Sequence, residues 1–328
     1  MKPILEPATQ AFISELESKG GTPIYKLSPK EARAILEKVQ SGPVKKAAVS
    51  IEEKALPCGP SGKVAISIVR PENSKEKLPV ILFVHGAGWI LGSFNTHDHL
   101  VRELAVGTNS AVVFVHYSLS PEARFPIAIE ESYAVAEYLS KNGASLNLDA
   151  SRLAVCGDSV GGNMSIALTM MANERKGPKF DCQVLFYPVT SAEMNTPSYN
   201  QFANGPWLTK PAMEWFWNAY ESDASARKNH LCSPLLAPID QLKGLPQAII
   251  ITAENDVLRD EGEQYASRLM QAGVNVTATR FLGTTHDFVM LNALSETPAA
   301  RGAIYVAANY LNQVWASKKI SKPSKKAA

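Results

Sequence analysis

The sequence predicts an α/β fold, a mostly parallel sheet of eight strands with helices on its faces. Its apolar runs are mostly continuous, as in Val80-Ile81-Leu82-Phe83-Val84 and Ala248-Ile249-Ile250-Ile251, which is how strands covered on both sides read. Amphipathic stretches separate most of these runs, as right-handed crossovers between parallel strands require. Between Leu153-Ala154-Val155-Cys156 and the helix-like Asn163 to Leu168 stands Gly157-Asp158-Ser159-Val160-Gly161. This G-x-S-x-G pattern marks a strand turning so sharply into a helix that the central serine is left strained and exposed. With glycine near 7% of residues, the bare pattern would arise by chance in about one such chain in ten, so its context has to decide.

Taken in order, the chain opens with helical spacing at Phe12, Ile13 and Leu16, ended by Gly20-Gly21. Ser28-Pro29-Lys30-Glu31 then reads as a capping box with proline at the first helical position. Strands are expected at Ile51 to Leu56 and Val64 to Val69, an antiparallel pair across a Pro- and Gly-rich turn. Further strands follow at Val80 to Val84, Val112 to Val115, Leu153 to Cys156, Val184 to Tyr187, Ala248 to Ile251 and Val276 to Phe281. Crossover helices fall at Pro126 to Leu139, Gly162 to Glu174 and Glu261 to Ala272. The gap between Tyr187 and Ala248 is too long for one crossover. Its Phe202, Trp207, Trp215, Phe216 and Trp217 suit either an extra lobe or aromatic core packing.

Composition narrows the function. At 328 residues and 45% hydrophobic the chain can bury a large core. A net charge of +2 supplies no field for nucleic acid or an acidic membrane surface. No apolar run approaches the ~18 residues of a membrane span, and the N-terminus lacks the apolar core of a secretory signal. Cys58, Cys156, Cys182 and Cys232 show no metal-ligand spacing and read as free thiols of a cytoplasmic protein. Neither a metal nor a cofactor is expected. Five lysines between Lys318 and Lys326 read as a solvated tail over 318–328.

A serine hydroxyl needs an adjacent base, and that base needs a third group to orient it and balance its charge. Where a serine is presented on this kind of turn, its partners follow in the order serine, acid, histidine. His85, His97, His99 and His116 precede Ser159, leaving His230 inside the long gap and His286 just past the last strand. His286 is the candidate base. Asp256, beyond the seventh strand, is the candidate acid, with Glu254 as an alternative. Asp260 reads as the N-cap of the next helix, and Asp287 adjoins the histidine too closely in sequence to orient its own imidazole. An oxyanion also needs fixed N–H donors. Val160, opening the elbow helix, should supply one, and the small-residue loop His85-Gly86-Ala87-Gly88-Trp89 others.

Together these stretches resemble a known family. His85-Gly86-Ala87-Gly88-Trp89, Tyr117-Ser118-Leu119-Ser120-Pro121-Glu122 with Phe125-Pro126, Gly157 to Gly162, Asp256 to Gly262 and Thr285-His286-Asp287-Phe288 are similar to the hormone-sensitive-lipase-like branch of the α/β-hydrolase carboxylesterases. The likeness runs from about residue 60 to residue 312. It implies the α/β-hydrolase fold over 51–190 and 235–317, with a helical cap made from 1–50 and from 191–234, an insertion after the sixth strand. It implies Ser159, Asp256 and His286 as the catalytic triad and the N–H groups of Ala87, Gly88 and Val160 as the oxyanion hole. The expected pocket draws on Trp89, Asp158, Phe202, Trp207, Val257 and Phe288.

Ala87 and Val160 stand where the family usually has glycine and alanine. Both keep the backbone N–H but are expected to narrow the site. His116, Ser118 and Ser120 also depart from the pattern, and the sequence offers no functional account of them.

The expected reaction is hydrolysis of short- to medium-chain acyl esters through an acyl-enzyme, failing below about pH 6 as a histidine of ordinary pKa protonates. Rival readings are a non-catalytic small-molecule receptor on the same fold and an amidase or peptidase with the same triad. The expected partner is a small-molecule ester, with a homodimer allowed.

Overall fold

A computed structural model describes residues 3–320, and the side chains of residues 319 and 320 lie outside the description. The strands are β1 (Val49–Leu56), β2 (Val64–Pro71), β3 (Leu78–Val84), β4 (Ala111–His116), β5 (Leu148–Asp158), β6 (Cys182–Phe186), β7 (Gln247–Asn255) and β8 (Val276–Thr285). They form one sheet in the order β1-β2-β4-β3-β5-β6-β7-β8. β1 and β2 are antiparallel to each other, and β2 is antiparallel to β4. The remaining pairs are parallel. Continuous apolar runs fall where both faces are covered: every residue of β3, the centre of the sheet, is buried. Edge strand β8 instead alternates between half-buried and exposed along most of its length, as expected where one face meets water.

The helices are α1 (Pro7–Lys19), α2 (Pro29–Val39), α3 (Phe94–Thr108), α4 (Ile127–Asn142), α5 (Val160–Glu174), α6 (Pro197–Gln201), α7 (Lys210–Tyr220), α8 (Ile239–Leu242), α9 (Arg259–Gln271) and α10 (Pro298–Ile320). α3 packs against α10, and α4 against α5. Ser28 and Glu31 cap α2 reciprocally, as the sequence predicts. α3 was not legible in the sequence. Its interior carries His97, Asp98 and His99, all buried, which interrupt the apolar stripe that periodicity relies on.

Two expectations change. The N-cap of α9 is Leu258 and not Asp260, because the turn already begins at Asp256, whose Oδ1 accepts the Leu258 N–H at 3.0 Å. Asp260 instead accepts the Ser198 N–H at 2.8 Å, tying α6 to α9. The first residues of the stretch expected as a solvated tail are helical. α10 runs through Lys318, whose ammonium pairs with Asp181 and donates to the Ser151 carbonyl at 2.6 Å. The rest of that stretch, 321–328, lies outside the described residues.

The departures at His116, Ser118 and Ser120 acquire structural roles. His116 Nε2 lies 2.6 Å from Ser67 Oγ across the β2–β4 pair. Ser118 donates both its N–H and its hydroxyl to Glu131, and Ser120 Oγ donates to the Ala123 carbonyl at 2.8 Å. Among the described residues no helix is long and apolar enough to cross a membrane, and all four cysteines are free thiols.

The turn from β5 into α5 sets the tightest steric limit. A Cβ on Gly161 would lie 2.0 Å from the Val84 carbonyl oxygen, and one on Gly157 2.3 Å from the Gly161 carbonyl oxygen. Neither contact can relax without moving backbone. Gly161→Ala is therefore expected to cost about 3 kcal/mol or more, read as a lower urea midpoint at unchanged slope. A variant as stable as the native chain would show that the turn can widen.

Candidate active site

Ser159 stands between β5 and α5 with φ 53° and ψ −119°, a backbone that non-glycine residues adopt only when their surroundings force it. Two hydrogen bonds hold it there. Its N–H donates to the Phe186 carbonyl at 2.9 Å, and its carbonyl accepts the Val189 N–H at 3.1 Å.

His286 follows β8 and Asp256 follows β7, so neighbouring parallel strands deliver both to the same end of the sheet. Ser159 Oγ lies 2.9 Å from His286 Nε2, and His286 Nδ1 lies 2.6 Å from Asp256 Oδ2. A carboxylate can only accept, so Nδ1–H donates to Asp256. That leaves Nε2 of the neutral ring to accept the Ser159 hydroxyl proton. All three residues are buried. The alternative acid, Glu254, faces away and accepts the Gly283 N–H at 2.7 Å. His230 pairs with Glu174.

Burial opposes charge on His286, but the Asp256 and Asp287 carboxylates and the hydrogen bond to Asp256 outweigh it, and the pKa is raised to about 9. The imidazole therefore holds its proton well above the pH that the sequence alone suggested, and only the fraction of rings that is neutral can accept the Ser159 proton.

The loop after β3 runs through three consecutive left-handed residues, Ala87 (φ 73°), Gly88 (φ 67°) and Trp89 (φ 59°). Among the described residues no hydrogen bond engages the N–H groups of Ala87 or Gly88, while Val160 opens α5, where a helix has no internal acceptor. Ala87 and Gly88 line a cavity of about 530 Å³ together with Ser159 and His286. Val160 is wholly buried and does not line the cavity, whereas Ala87 does.

Asp158, expected in the pocket, and His97, to which the sequence assigned no role, hold this loop in place. Asp158 Oδ1 accepts the Gly86 N–H at 3.0 Å, and its Oδ2 lies 3.3 Å from His97 Nε2. Burial works against both charges, but the pair prevails, keeping the His97 pKa raised and that of Asp158 lowered. His85, buried and facing His97, is pushed down to about 3 and stays neutral. Its carbonyl accepts Tyr117 Oη–H at 3.0 Å. His97 had no signal in sequence, since its partner lies 61 positions away.

Of the expected pocket residues, Trp207 lines the cavity. Asp158 is committed to the loop. Trp89 is wholly buried, stacked on Tyr220 at 4.1 Å, and Phe202, Val257 and Phe288 are buried in the main core. The cavity is roofed instead by α1, α2, the 20–25 segment and α7, through side chains such as Ile13, Leu36, Met213 and Phe216. Asp287 also reaches it. Though it does not orient the imidazole through Nδ1, its Oδ1 lies 3.4 Å from His286 Nε2.

With this geometry in hand, comparison with known proteins is informative. The family model for the alpha/beta hydrolase fold matches residues 81–290. Carboxylesterase NlhH of Mycobacterium tuberculosis is 36% identical over 273 residues, covering 83% of this chain and 85% of its own. An ethyl acetate hydrolase of Pseudomonas putida is 35% identical over 234 residues, covering 70% of this chain and 72% of its own. Among solved structures, a thermostable esterase from Pseudomonas putida superposes with a TM-score of 0.94 at 44% identity, covering 95% of this chain and 98% of that one.

The His286 titration can be read directly. Nitrogen chemical shifts of the ring should give a midpoint near pH 9, falling toward the ordinary value of about 6.5 in Asp256→Asn. Because the folded-state pKa lies above the unfolded one, the stability this group contributes is complete below about pH 6.5 and lost as pH rises through about 9. A native midpoint at or below 6.5 would mean that burial outweighs the carboxylates.

Proposed function

Since the chain belongs to the alpha/beta hydrolase fold family, in its hormone-sensitive-lipase-like branch, we propose that it hydrolyses carboxylic esters through an acyl-enzyme formed on Ser159. One observation carries the reading: an unbroken hydrogen-bonded line from Ser159 Oγ through His286 to Asp256, opening onto a largely apolar cavity.

In the first half-reaction Ser159 Oγ attacks the ester carbonyl carbon, and its proton passes to His286 Nε2. The resulting oxyanion is held by the N–H groups of Ala87, Gly88 and Val160, donors of a kind typically worth about 10²–10³ in rate each. As the carbon–oxygen bond to the alcohol breaks, Nε2 returns the proton to the departing oxygen. Water, deprotonated by the same imidazole, then attacks the acyl-enzyme, and the carboxylic acid leaves as Ser159 is reprotonated. Asp256 orients the ring and balances its charge throughout.

Residues 1–50 and the 191–234 insertion act as the cap. Phe12 of α1 lies 5.5 Å from Trp207 of the insertion, ring to ring, and a Cβ on Gly88 would fall 2.1 Å from Phe216 of α7. The roof thus rests directly on the oxyanion loop. A largely apolar cavity of about 530 Å³ suits esters of short to medium acyl length.

Ser159→Ala should retain the fold by circular dichroism while losing hydrolysis of p-nitrophenyl acetate by about 10³-fold or more. The native chain should be labelled by a fluorophosphonate, and a receptor without an activated serine would not be. Across p-nitrophenyl esters from acetate to palmitate, kcat/KM should peak at short or medium chains. A maximum at palmitate would overturn the assignment of chain length.

A further inference from the structure

Asp287 is a charge in the cavity that the reaction does not use. It has φ 64°, a left-handed backbone that aspartate tolerates better than most residues, and that turn carries its side chain inward. The residue is only 8% exposed yet lines the cavity. Oδ2 accepts the Trp207 Nε1–H at 2.8 Å. Oδ1 is buried without a hydrogen bond, 3.4 Å from His286 Nε2. Burial raises the Asp287 pKa, against the opposing pull of His286 and of the Trp207 hydrogen bond, and the neighbouring Asp158 adds to the rise. No lysine or arginine lines the cavity, where Glu17 is the other acidic residue. Of the nearby carboxylates, Asp158 is matched by His97 and Asp256 by His286. Asp287 shares the His286 ring with Asp256, so two buried carboxylates have one cation between them, a costly state for buried acids.

Position decides which part of a substrate would meet it. Nε2 hands its proton to the departing alcohol oxygen, so that oxygen must sit within hydrogen-bond reach of Nε2, the same nitrogen that Asp287 Oδ1 approaches. A substituent on the second carbon from the ester oxygen is therefore within reach of the Asp287 carboxylate where that residue lines the cavity. Building on the hydrolase reading above, we propose that Asp287 makes the leaving-group side of the site selective for esters whose alcohol carries a protonated amine two carbons from the ester oxygen. The ammonium N–H donates to Asp287 and supplies a second cation. Asp287 exchanges no proton, and the bonds made and broken are those of ordinary acyl transfer. The same charge disfavours esters with a carboxylate at that position.

Two esters of nearly identical shape separate this role from simple anchoring of Trp207: 2-(dimethylamino)ethyl acetate, protonated at neutral pH, and its neutral isostere 3-methylbutyl acetate. For the native chain the first should have the higher kcat/KM by about tenfold or more, the scale of a hydrogen bond between charged groups. That ratio should fall to near one or below in Asp287→Asn, which keeps an acceptor for Trp207, and in Asp287→Gly, which suits the left-handed backbone. A residue that only anchored Trp207 would slow both esters alike and leave the ratio unchanged, overturning the proposal. So would a native preference for the neutral ester. Failure of the native chain to turn over either ester, with no fluorophosphonate labelling, would remove the hydrolase reading and this inference with it.

Discussion

The structure depends on the closeness of one turn. Ser159 can project from the end of β5 only because Gly157 and Gly161 leave the crossing backbones in contact, with no space for a side chain at either position. The strain in the serine backbone is held by two hydrogen bonds to the segment that ends β6, so the elbow depends on the sheet around it. A less complete sheet would let the turn relax, and the hydroxyl would lose its line to His286. The fold and the site therefore share one constraint.

Charge distribution follows from the same compactness. Five ionisable side chains, Asp158, Asp256, Asp287, His97 and His286, are buried close together. Taking charges out of water is expensive unless each finds a partner. The His97–Asp158 pair meets that cost while fixing Gly86, and through it the start of the loop that lines the cavity. The His286–Asp256 pair meets it while orienting the base. Chemistry and stability thus rest on the same two pairs.

The roof has a different physical basis. Apolar side chains of α1, α2 and α7 close over the cavity, and the Trp207 indole binds both to Phe12 by ring contact and to Asp287 by a hydrogen bond. One side chain therefore joins the N-terminal segment, the insertion and the loop that carries His286.

By itself the sequence determined the strands, the elbow, the order of serine, acid and histidine, and the capping box of α2. Each is written in local pattern: continuous apolar runs, glycines at fixed spacing, and residues that must stand at strand ends. Tertiary structure alone decided that α3 is a helix despite its buried histidines, that His97 pairs with the Asp158 holding the loop after β3, and that α1 and α2, more than Phe202 or Phe288, line the cavity. It also turned Asp287 from a bystander in sequence into a neighbour of the reactive nitrogen, and moved the His286 pKa far above its ordinary value. These outcomes rest on contacts between segments distant along the chain and on a dielectric set by burial, and neither leaves a periodic mark in sequence.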